Sequence, residues 1–306
     1  IRDSTSTYYE GWGVADPGGN PNVSVGAGGM AEGQYLVSIT FSNLAREESG
    51  SSVPIPITLT DGQGISLSDI PQGDTDLINI YCSEPNGTQL YRQAQLPMGT
   101  ASYTITQIAR GRDLNTVNME PLPHGHIIRY YRGRIYIASG NFVACSQPLY
   151  YGLHHPAEDY LPAFPADVTM VEPVTDGLYI SADKIYFLKG TGPDDFVQEI
   201  VDPYPAISGS SLQLDKSLTV KGESDECAYW FTEDGAVVGY NGGKVNRLSV
   251  ESLRGVTASS GASAILRDGG LDRVVTALAD TGPRASFGAS DSAEIEIIST
   301  KSTLQL

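Results

Sequence analysis

The chain has 306 residues, and its 34 glycines, 18 prolines and 17 tyrosines accompany a charged fraction of only 18%. This composition favours many short strands and turns over long helices, so it predicts an all-β protein. Acidic residues outnumber basic ones by 36 to 19, and the net charge of -17 disfavours specific nucleic-acid binding, because no run of lysine or arginine counters it.

Residues 1–12 are expected to be the end of a preceding blade or a linker, since the chain does not begin with methionine and we expect a longer protein. Residues 13–119 then show short runs with a period of two. The run GQYLVSITF places four apolar side chains on one face: Tyr35, Val37, Ile39 and Phe41. Asp-Gly at 61–62 and Asn-Gly at 86–87 predict turns. About seven short strands in roughly 105 residues indicate a β-sandwich.

The stretch GAGGMA at residues 26–31 matches the pattern G-x-G-x-x-A of a dinucleotide-binding loop. No strong strand precedes it, and a strand rather than a helix follows at Tyr35, so the context is wrong for that function. We interpret the stretch as a glycine-rich loop before a sandwich strand and predict no cofactor.

Three segments of this region carry a family likeness: GQYLVSITFSNLAREESGSS, INIYCSEPNGTQLYR and ASYTIT. On these segments the region resembles a fibronectin type III-like domain, with Cys82 where arginine is common. The early core tryptophan of that domain is missing, since Trp12 lies before the region. The resemblance implies a sandwich that occupies residues 13–119.

Residues 120–306 change to a pattern of strand, tight turn and strand, with turn-entry positions at Gly133, Asp176, Asp234 and Asp268. A lone hairpin cannot bury both of its faces, so recurrence indicates β-propeller-like blades that supply one another's core. A propeller needs roughly four to eight blades, and about four hairpins are present. Either the ring is small, or further blades lie before residue 1 in a longer protein. We favour the second interpretation.

The basic run RYYRGR and the four histidines are candidate charged or metal-binding sites. Alternation within RYYRGR predicts a solvated edge strand rather than a polyanion site. The histidines lie in two sequence pairs with acids near the second pair, and we expect them to be solvated or hydrogen-bonded rather than metal ligands: His124, His126, His154 and His155, beside Glu158 and Asp159.

No motif of a hydrolase, zinc protease or P-loop occurs, so we predict no catalytic residue and no enzyme activity. A propeller glycosidase would need paired acids and sugar-gripping motifs. The motifs are absent, and the candidate acids are interpreted as surface charges: Asp167, Glu172, Asp194 and Asp195.

The proline-rich loop from Asp202 to Ser210 is predicted to be an interface. Tyr204 and Ile207 are its candidate contact residues, because both would be costly to leave in water on a lone monomer. The alternative is that they are core, together with Phe196, Ile200 and Val201.

Cysteine usage and hydropathy bear on the compartment. The three cysteines are too far apart for a CxxC clip, so we expect buried free thiols in a protein assembled in a reducing cytoplasm, with a single disulfide as the alternative: Cys82, Cys145 and Cys227. No apolar window approaches the roughly 18 residues of a membrane-spanning helix, and we predict no membrane association.

The stretch from LYYGLHHP to DDFVQ, residues 149–198, carries a second likeness. Through DGLYI at Asp176–Ile180 and KIYFLKG at Lys184–Gly190 it resembles tailed-bacteriophage virion proteins in which a propeller carries an immunoglobulin-like or fibronectin-like insertion. The resemblance implies a structural virion protein at the head-to-tail or tail hub, assembled in the host bacterial cytoplasm. Its partners would be further copies of itself and other tail or portal-proximal virion proteins. The alternatives are a carbohydrate-binding adhesin or receptor-binding module and, third, a propeller glycosidase.

Overall fold

The computed structural model describes the following residues: 13–214, 226–248, 255–268, 271–280 and 292–299. Within these ranges the chain forms strands joined by turns and loops, and the only helical element there is a three-residue 3-10 turn at Asn241–Gly243. The predicted all-β class is confirmed.

The strands, numbered in chain order, are β1 (Asn22–Met30), β2 (Gly33–Ser42), β3 (Ile55–Leu59), β4 (Gln63–Ser68), β5 (Leu77–Ser83), β6 (Leu90–Pro97), β7 (Tyr103–Ile105), β8 (Glu120–Pro121), β9 (Ile127–Tyr131), β10 (Arg134–Ser139), β11 (Phe142–Cys145), β12 (Leu153–His154), β13 (Met170–Val174), β14 (Gly177–Ser181), β15 (Ile185–Lys189), β16 (Val197–Asp202), β17 (Leu212–Leu214), β18 (Cys227–Thr232), β19 (Gly235–Gly239), β20 (Val245–Arg247), β21 (Ser260–Asp268), β22 (Leu271–Ala279) and β23 (Ser292–Ser299).

The chain divides into two compact units. The first contains the described residues up to His124 together with Ser146–Asp159, and the second contains Gly125–Cys145 and the described residues from Tyr160 onward. The sequence predicted a single boundary after residue 119. Ser146–Asp159 join the first unit because β12 pairs with β8 in a small antiparallel sheet.

The first unit contains two packed antiparallel sheets, with strand orders β1-β4-β7 and β3-β2-β5-β6. The four apolar side chains predicted to share a face of β2 are all buried between the sheets: Tyr35, Val37, Ile39 and Phe41. Ile78, Ile80 and Cys82 of β5 join the same core, and Tyr81 faces the opposite side in a separate cluster. The predicted alternation in this region is therefore confirmed.

Both predicted turns of the first unit lie between consecutive strands, but only the second joins strands that pair: β3 and β4 belong to different sheets, whereas β5 and β6 are neighbours. Gly62 has a φ of 80° in the link from β3 to β4, a conformation in which a side chain would be strained. Asn86 has a φ of 61° in the link from β5 to β6, and asparagine tolerates the left-handed region better than most residues do.

The stretch GAGGMA, which we predicted to be a loop, lies largely inside β1, and that prediction is wrong. The pairing of β1 with β4 is irregular between Ala27 and Met30, and a Cβ atom at Gly28 would lie 2.6 Å from the Cα atom of Gly64. Glycines here permit a close approach of two strand backbones, which is a recognised reason for glycine within a strand.

The second unit contains four successive sheets, each an antiparallel meander in which consecutive strands are neighbours. The described strands give the orders β11-β10-β9, β13-β14-β15-β16, β17-β18-β19-β20 and β21-β22-β23. None of these sheets closes on itself. The register of the second sheet runs from Gly177 opposite Lys189 to Ser181 opposite Ile185.

A separate hydrophobic cluster lies between each pair of successive sheets in the second unit. In the second sheet Leu178 and Ile180 pack toward the first sheet, whereas Tyr179 and Phe187 pack toward the third. Both faces of this sheet are thereby covered, which explains why every residue of β13 and β14 is buried.

Part of the drift in repeat spacing arose because one of the compared turns is not equivalent to the others. Gly133 and Asp176 lie between the first and second strands of their sheets, but Asp234 lies between the second and third strands of its own. Its structural counterpart is Asp183, between β14 and β15. The turn that follows Asp268 cannot be compared in the same way, because residues 269–270 lie outside the described residues.

Candidate functional site

The loop after β16 contains the predicted interface residues, Tyr204 and Ile207, and both are half-buried. The guanidinium carbon of Arg247 lies 5.1 Å from the centre of the Tyr204 ring, within the range of a cation–π contact. Ile207 packs against the cluster between the third and fourth sheets, and its backbone N–H donates to the carbonyl of Phe231 at 2.8 Å. The two residues therefore pack within the second unit, and their role as an interface stays a prediction.

Arg247 ties this loop to the third sheet. Its Nη2 donates to Asp202 Oδ1 and its Nη1 donates to Asp234 Oδ2, both at 2.7 Å, and the backbone N–H of Tyr204 donates to Asp202 Oδ1 at 3.0 Å. Asp202 is buried, and the hydrogen bonds from Arg247 and from the Tyr204 backbone supply the partners that its charge requires.

The most exposed apolar side chains near this loop lie on the preceding strand, β16. Val197 and Ile200 are each 59% exposed, and β16 is the outermost strand of its sheet in the described part of the chain. The sequence reading placed Ile200 among residues that are either core or contact surface, and it missed Val197. The sequence did contain a signal for this exposure. In the run VQEI, Val197 and Ile200 flank two polar residues, a pattern that does not fit a strand buried on both faces.

The four candidate acids occupy different environments, and the structure does not group them as a catalytic pair. Asp167, Asp194 and Asp195 are exposed. Asp195 accepts hydrogen bonds from the Thr191 hydroxyl and from the backbone N–H groups of Thr191 and Gly192, which lower its pKa and close a turn.

Glu172 was interpreted as a surface charge, and that interpretation is wrong, because its side chain is 0% exposed. Arg129 binds it with two hydrogen bonds, Nη2 to Oε1 at 2.5 Å and Nε to Oε2 at 3.1 Å, and the Ser211 hydroxyl donates to Oε1 at 2.7 Å. The predicted edge strand is confirmed as β9, but its Arg129 is half-buried rather than solvated. The three side chains connect the first three sheets of the second unit.

Two of the four histidines, His126 and His154, bind backbone carbonyls, as we expected, whereas the buried Nδ1 of His155 has no partner among the described residues. His126 Nε2 lies 2.8 Å from the carbonyl of Val168, and the buried His154 has Nδ1 3.2 Å from the carbonyl of Glu120. Burial lowers the pKa of His154. Over the described ranges, no group of three or more His, Cys, Asp or Glu side chains is arranged to hold a metal ion.

The predicted burial is confirmed, since Cys82, Cys145 and Cys227 are all buried and none of them is in a disulfide. Burial raises the pKa of Cys82 and of Cys227 to about 12. Thiols in this state stay protonated near neutral pH and are poor nucleophiles.

Asp16, in the first unit, carries the carboxylate whose pKa departs furthest from its ordinary range. Burial raises its pKa from 3.8 to about 6, the charge of Glu120 raises it further, and a hydrogen bond from the backbone of Gly50 opposes the shift. The folded state therefore binds a proton more tightly than the unfolded chain does, so ionisation of Asp16 costs stability as the pH rises from about 4 to 6.

We expect Asp16→Asn to lose this pH dependence. The Tm of the variant minus the Tm of the unchanged protein should rise by about 2 to 4 °C between about pH 4.5 and pH 7.5. This rise corresponds to about 1 kcal/mol of unfolding free energy, after discounting for the partial exposure of Asp16. Calorimetry at several pH values measures the gain. Asp61→Asn, in an exposed turn, is the matched control and should show no such trend; a parallel trend in both variants would contradict the assignment.

No protein-family model matches the chain, and no curated protein is significantly similar to it. In the part of the chain that the structure describes, no helix is long and apolar enough to cross a membrane.

Proposed function

We propose that the chain is a structural component of a larger assembly, which acts through shape and contacts rather than through catalysis. The observation that carries this proposal is the outer strand β16, where Val197 and Ile200 are exposed. An edge strand presents unpaired backbone N–H and C=O groups, and proteins that remain alone usually protect such edges with charges, proline or a covering segment.

The occupant of this edge is, in our proposal, a neighbouring copy of the same chain. A strand added by the neighbour would form hydrogen bonds with the unpaired backbone groups of β16, and the two apolar side chains would pack against the neighbour as anchors. Closed symmetric homo-oligomers are the commonest form of soluble assembly, and a ring is the arrangement that the likeness to phage proteins implies.

The likeness of residues 149–198 extends the proposal to a virion. The chain would be a multi-copy component at the head-to-tail or tail hub of a tailed bacteriophage, in contact with other tail or portal-proximal proteins and assembled in the host cytoplasm. The four successive meander sheets, with an apolar cluster between each pair, support propeller-like blades. The two packed sheets of the first unit support a fibronectin-like sandwich.

The net charge of -17 suits a protein beside a DNA path, because negative charge weakens adhesion to phosphates and lets DNA slide. The glycosidase alternative gains nothing from Glu172, which is buried and neutralised by Arg129.

The double variant Val197→Asp/Ile200→Asp tests the proposal. Because both side chains are exposed, we expect a Tm within a few degrees of the unchanged protein together with loss of the oligomer in sedimentation velocity and loss of incorporation into particles. Val25→Asp/Val53→Asp, which changes two exposed valines of the first unit, is the matched control. An oligomer that survives in the β16 variant would place the contact elsewhere, and a monomeric unchanged protein would remove self-association from the proposal.

A further inference from the structure

The first unit contains two adjoining cavities on the side of the four-stranded sheet that faces away from the sandwich core. The first has a volume of about 460 Å³ and the second about 470 Å³, sizes typical of small-molecule sites. Both are lined by Arg46, Glu48 and Arg112, and the first is also lined by Arg92 of β6. The cavities thus form one continuous concave surface, which we call the arginine cleft.

The arginine cleft is positively charged in a protein whose net charge is -17. Three arginines and a single glutamate line its first cavity. Among the described residues, the guanidinium groups of Arg46 and Arg92 have no ion-pair or hydrogen-bond partner. Arg112 Nη1 lies 3.7 Å from Glu48 Oε2. The second cavity is also lined by Glu47, so the whole cleft has three arginines and two glutamates. This excess of positive charge, with two arginines that have no partner of their own in the described chain, suits an anionic ligand.

Glu48 does not neutralise the cleft, because its carboxylate is held at the base by other donors. The Thr40 hydroxyl and the Tyr81 hydroxyl each donate to Glu48 Oε1 at 2.6 Å, and the Glu48 side chain is only 7% exposed. Burial and the neighbouring Glu48 raise the pKa of Tyr81, so this tyrosine remains a neutral donor. Because Glu48 is fixed in this way, its ion pair holds Arg112 in place. Arg46 and Arg92 remain available to a ligand.

Arg46 is held in an uncommon backbone conformation, with a φ of 70°. Its N–H donates to the carbonyl of Asn43 at 3.0 Å, while the Asn43 side chain bonds the backbone and the carboxylate of Glu47. The left-handed region is costly for a residue with a long side chain, and such positions persist where the surrounding loop determines them. This loop therefore orients Arg46 at the border between the two cavities.

The remaining lining groups are suited to hydroxyls and to a flat ring. Gln95 is the lining amide that a ligand can reach, and its Nε2 donates to Asn79 Oδ1 at 2.9 Å. Asn79 itself is buried, and its Nδ2 already donates to Thr40 and Ser42. Tyr150 and Tyr151 line the second cavity, and Tyr151 is exposed. Planar amides recognise hydroxyl groups, and tyrosine rings offer an apolar face with a polar edge.

We propose that the arginine cleft binds an acidic saccharide, whose carboxylate pairs with Arg46 and Arg92 and whose sugar rings lie beside Tyr150 and Tyr151. Arginine recognises a carboxylate through two parallel hydrogen bonds, whereas the Gln95 amide and the tyrosines favour hydroxylated rings over a simple ion. The site lies wholly in the first unit. It does not depend on the assembly proposed for β16 in the second unit, and either proposal can fail without the other.

Titration calorimetry of the full chain with oligouronate hexasaccharides tests the proposal. We expect binding that weakens as salt is added, and at least about tenfold weaker binding of a neutral hexasaccharide of the same length. Inorganic polyphosphate is the third probe, because it carries charge without a sugar ring. Binding of polyphosphate as tight as that of oligouronate would overturn the saccharide assignment, as would equal binding of the neutral sugar.

The double variant Arg46→Gln/Arg92→Gln should weaken oligouronate binding by about tenfold or more, while its Tm stays close to that of the unchanged protein. Arg110→Gln is the matched control, because Arg110 is an exposed arginine paired with Glu84 that does not line the cleft. Arg92→Lys provides a second variant in which charge is kept but the bidentate fork is lost, and it should also bind less tightly. Unchanged affinity in the double variant would overturn the proposal.

Discussion

Replacing Arg129 by methionine is expected to destabilise the second unit by about 3 to 5 kcal/mol, the usual cost of leaving a buried charge without its partner. Glu172 is 0% exposed and would keep only the hydrogen bond from Ser211. Methionine preserves much of the apolar stem of arginine, so the loss reports mainly on the charge. Urea unfolding measures it, followed by tryptophan fluorescence in a Trp12→Phe background so that the signal comes from the buried Trp230.

The double variant Arg129→Met/Glu172→Leu separates the electrostatic effect from packing. Removing both charges leaves no uncompensated carboxylate, so most of the lost stability should return. A double variant as unstable as Arg129→Met would mean that side-chain volume, rather than charge pairing, holds these strands together.

Trp230→Ala is expected to cost about 3 to 5 kcal/mol, because it opens a large cavity between the second and third sheets. Trp230 is fully buried, and its ring centre lies 5.1 Å from that of Tyr179. The Tyr179 hydroxyl in turn donates to the carbonyl of Tyr240, so the loss of the indole also loosens a link between these sheets. Calorimetry is the suitable measurement, since the variant lacks the reporting tryptophan.

Trp230→Phe is the matched control, and it should lose far less stability than Trp230→Ala. Phenylalanine retains the aromatic contact with Tyr179, and the indole N–H that it removes is buried with no acceptor among the described residues. If both variants were equally unstable, the size of the cavity would not be the cause.

The strand pattern could be predicted where one face of a sheet is buried and the other is not. The alternation in β2 and β5 identified the core face, and the Asp-Gly and Asn-Gly dipeptides identified two turns, because these signals depend on residues that are close in sequence. In the second sheet of the second unit both faces are covered by neighbours. The apolar runs there have no period of two, so the sequence does not show whether a given run is the first, second or third strand of its sheet.

The candidate sites were harder to predict, since they depend on pairings distant in sequence. Arg129, Glu172 and Ser211 come together only because β13 lies beside both β9 and β17, the first strands of the neighbouring sheets. The arginine cleft likewise combines a loop after β2, strand β6 and a segment after β7. A single arginine or glutamate in the sequence gives no indication of its partner. Because acidic residues are abundant in this chain, Glu172 was interpreted as one more surface charge.

The arrangement of one apolar cluster between each pair of successive sheets makes the second unit a nearest-neighbour system. Each sheet exchanges stabilising free energy with the sheet before it and the sheet after it, as the repeats of a solenoid do. In the described chain, β13–β16 and β17–β20 have two such neighbours, whereas β9–β11 has one. Unfolding is therefore most cooperative for the second and third sheets. Local unfolding that begins in the first sheet can stop before the second sheet, and the remaining sheets then stay folded.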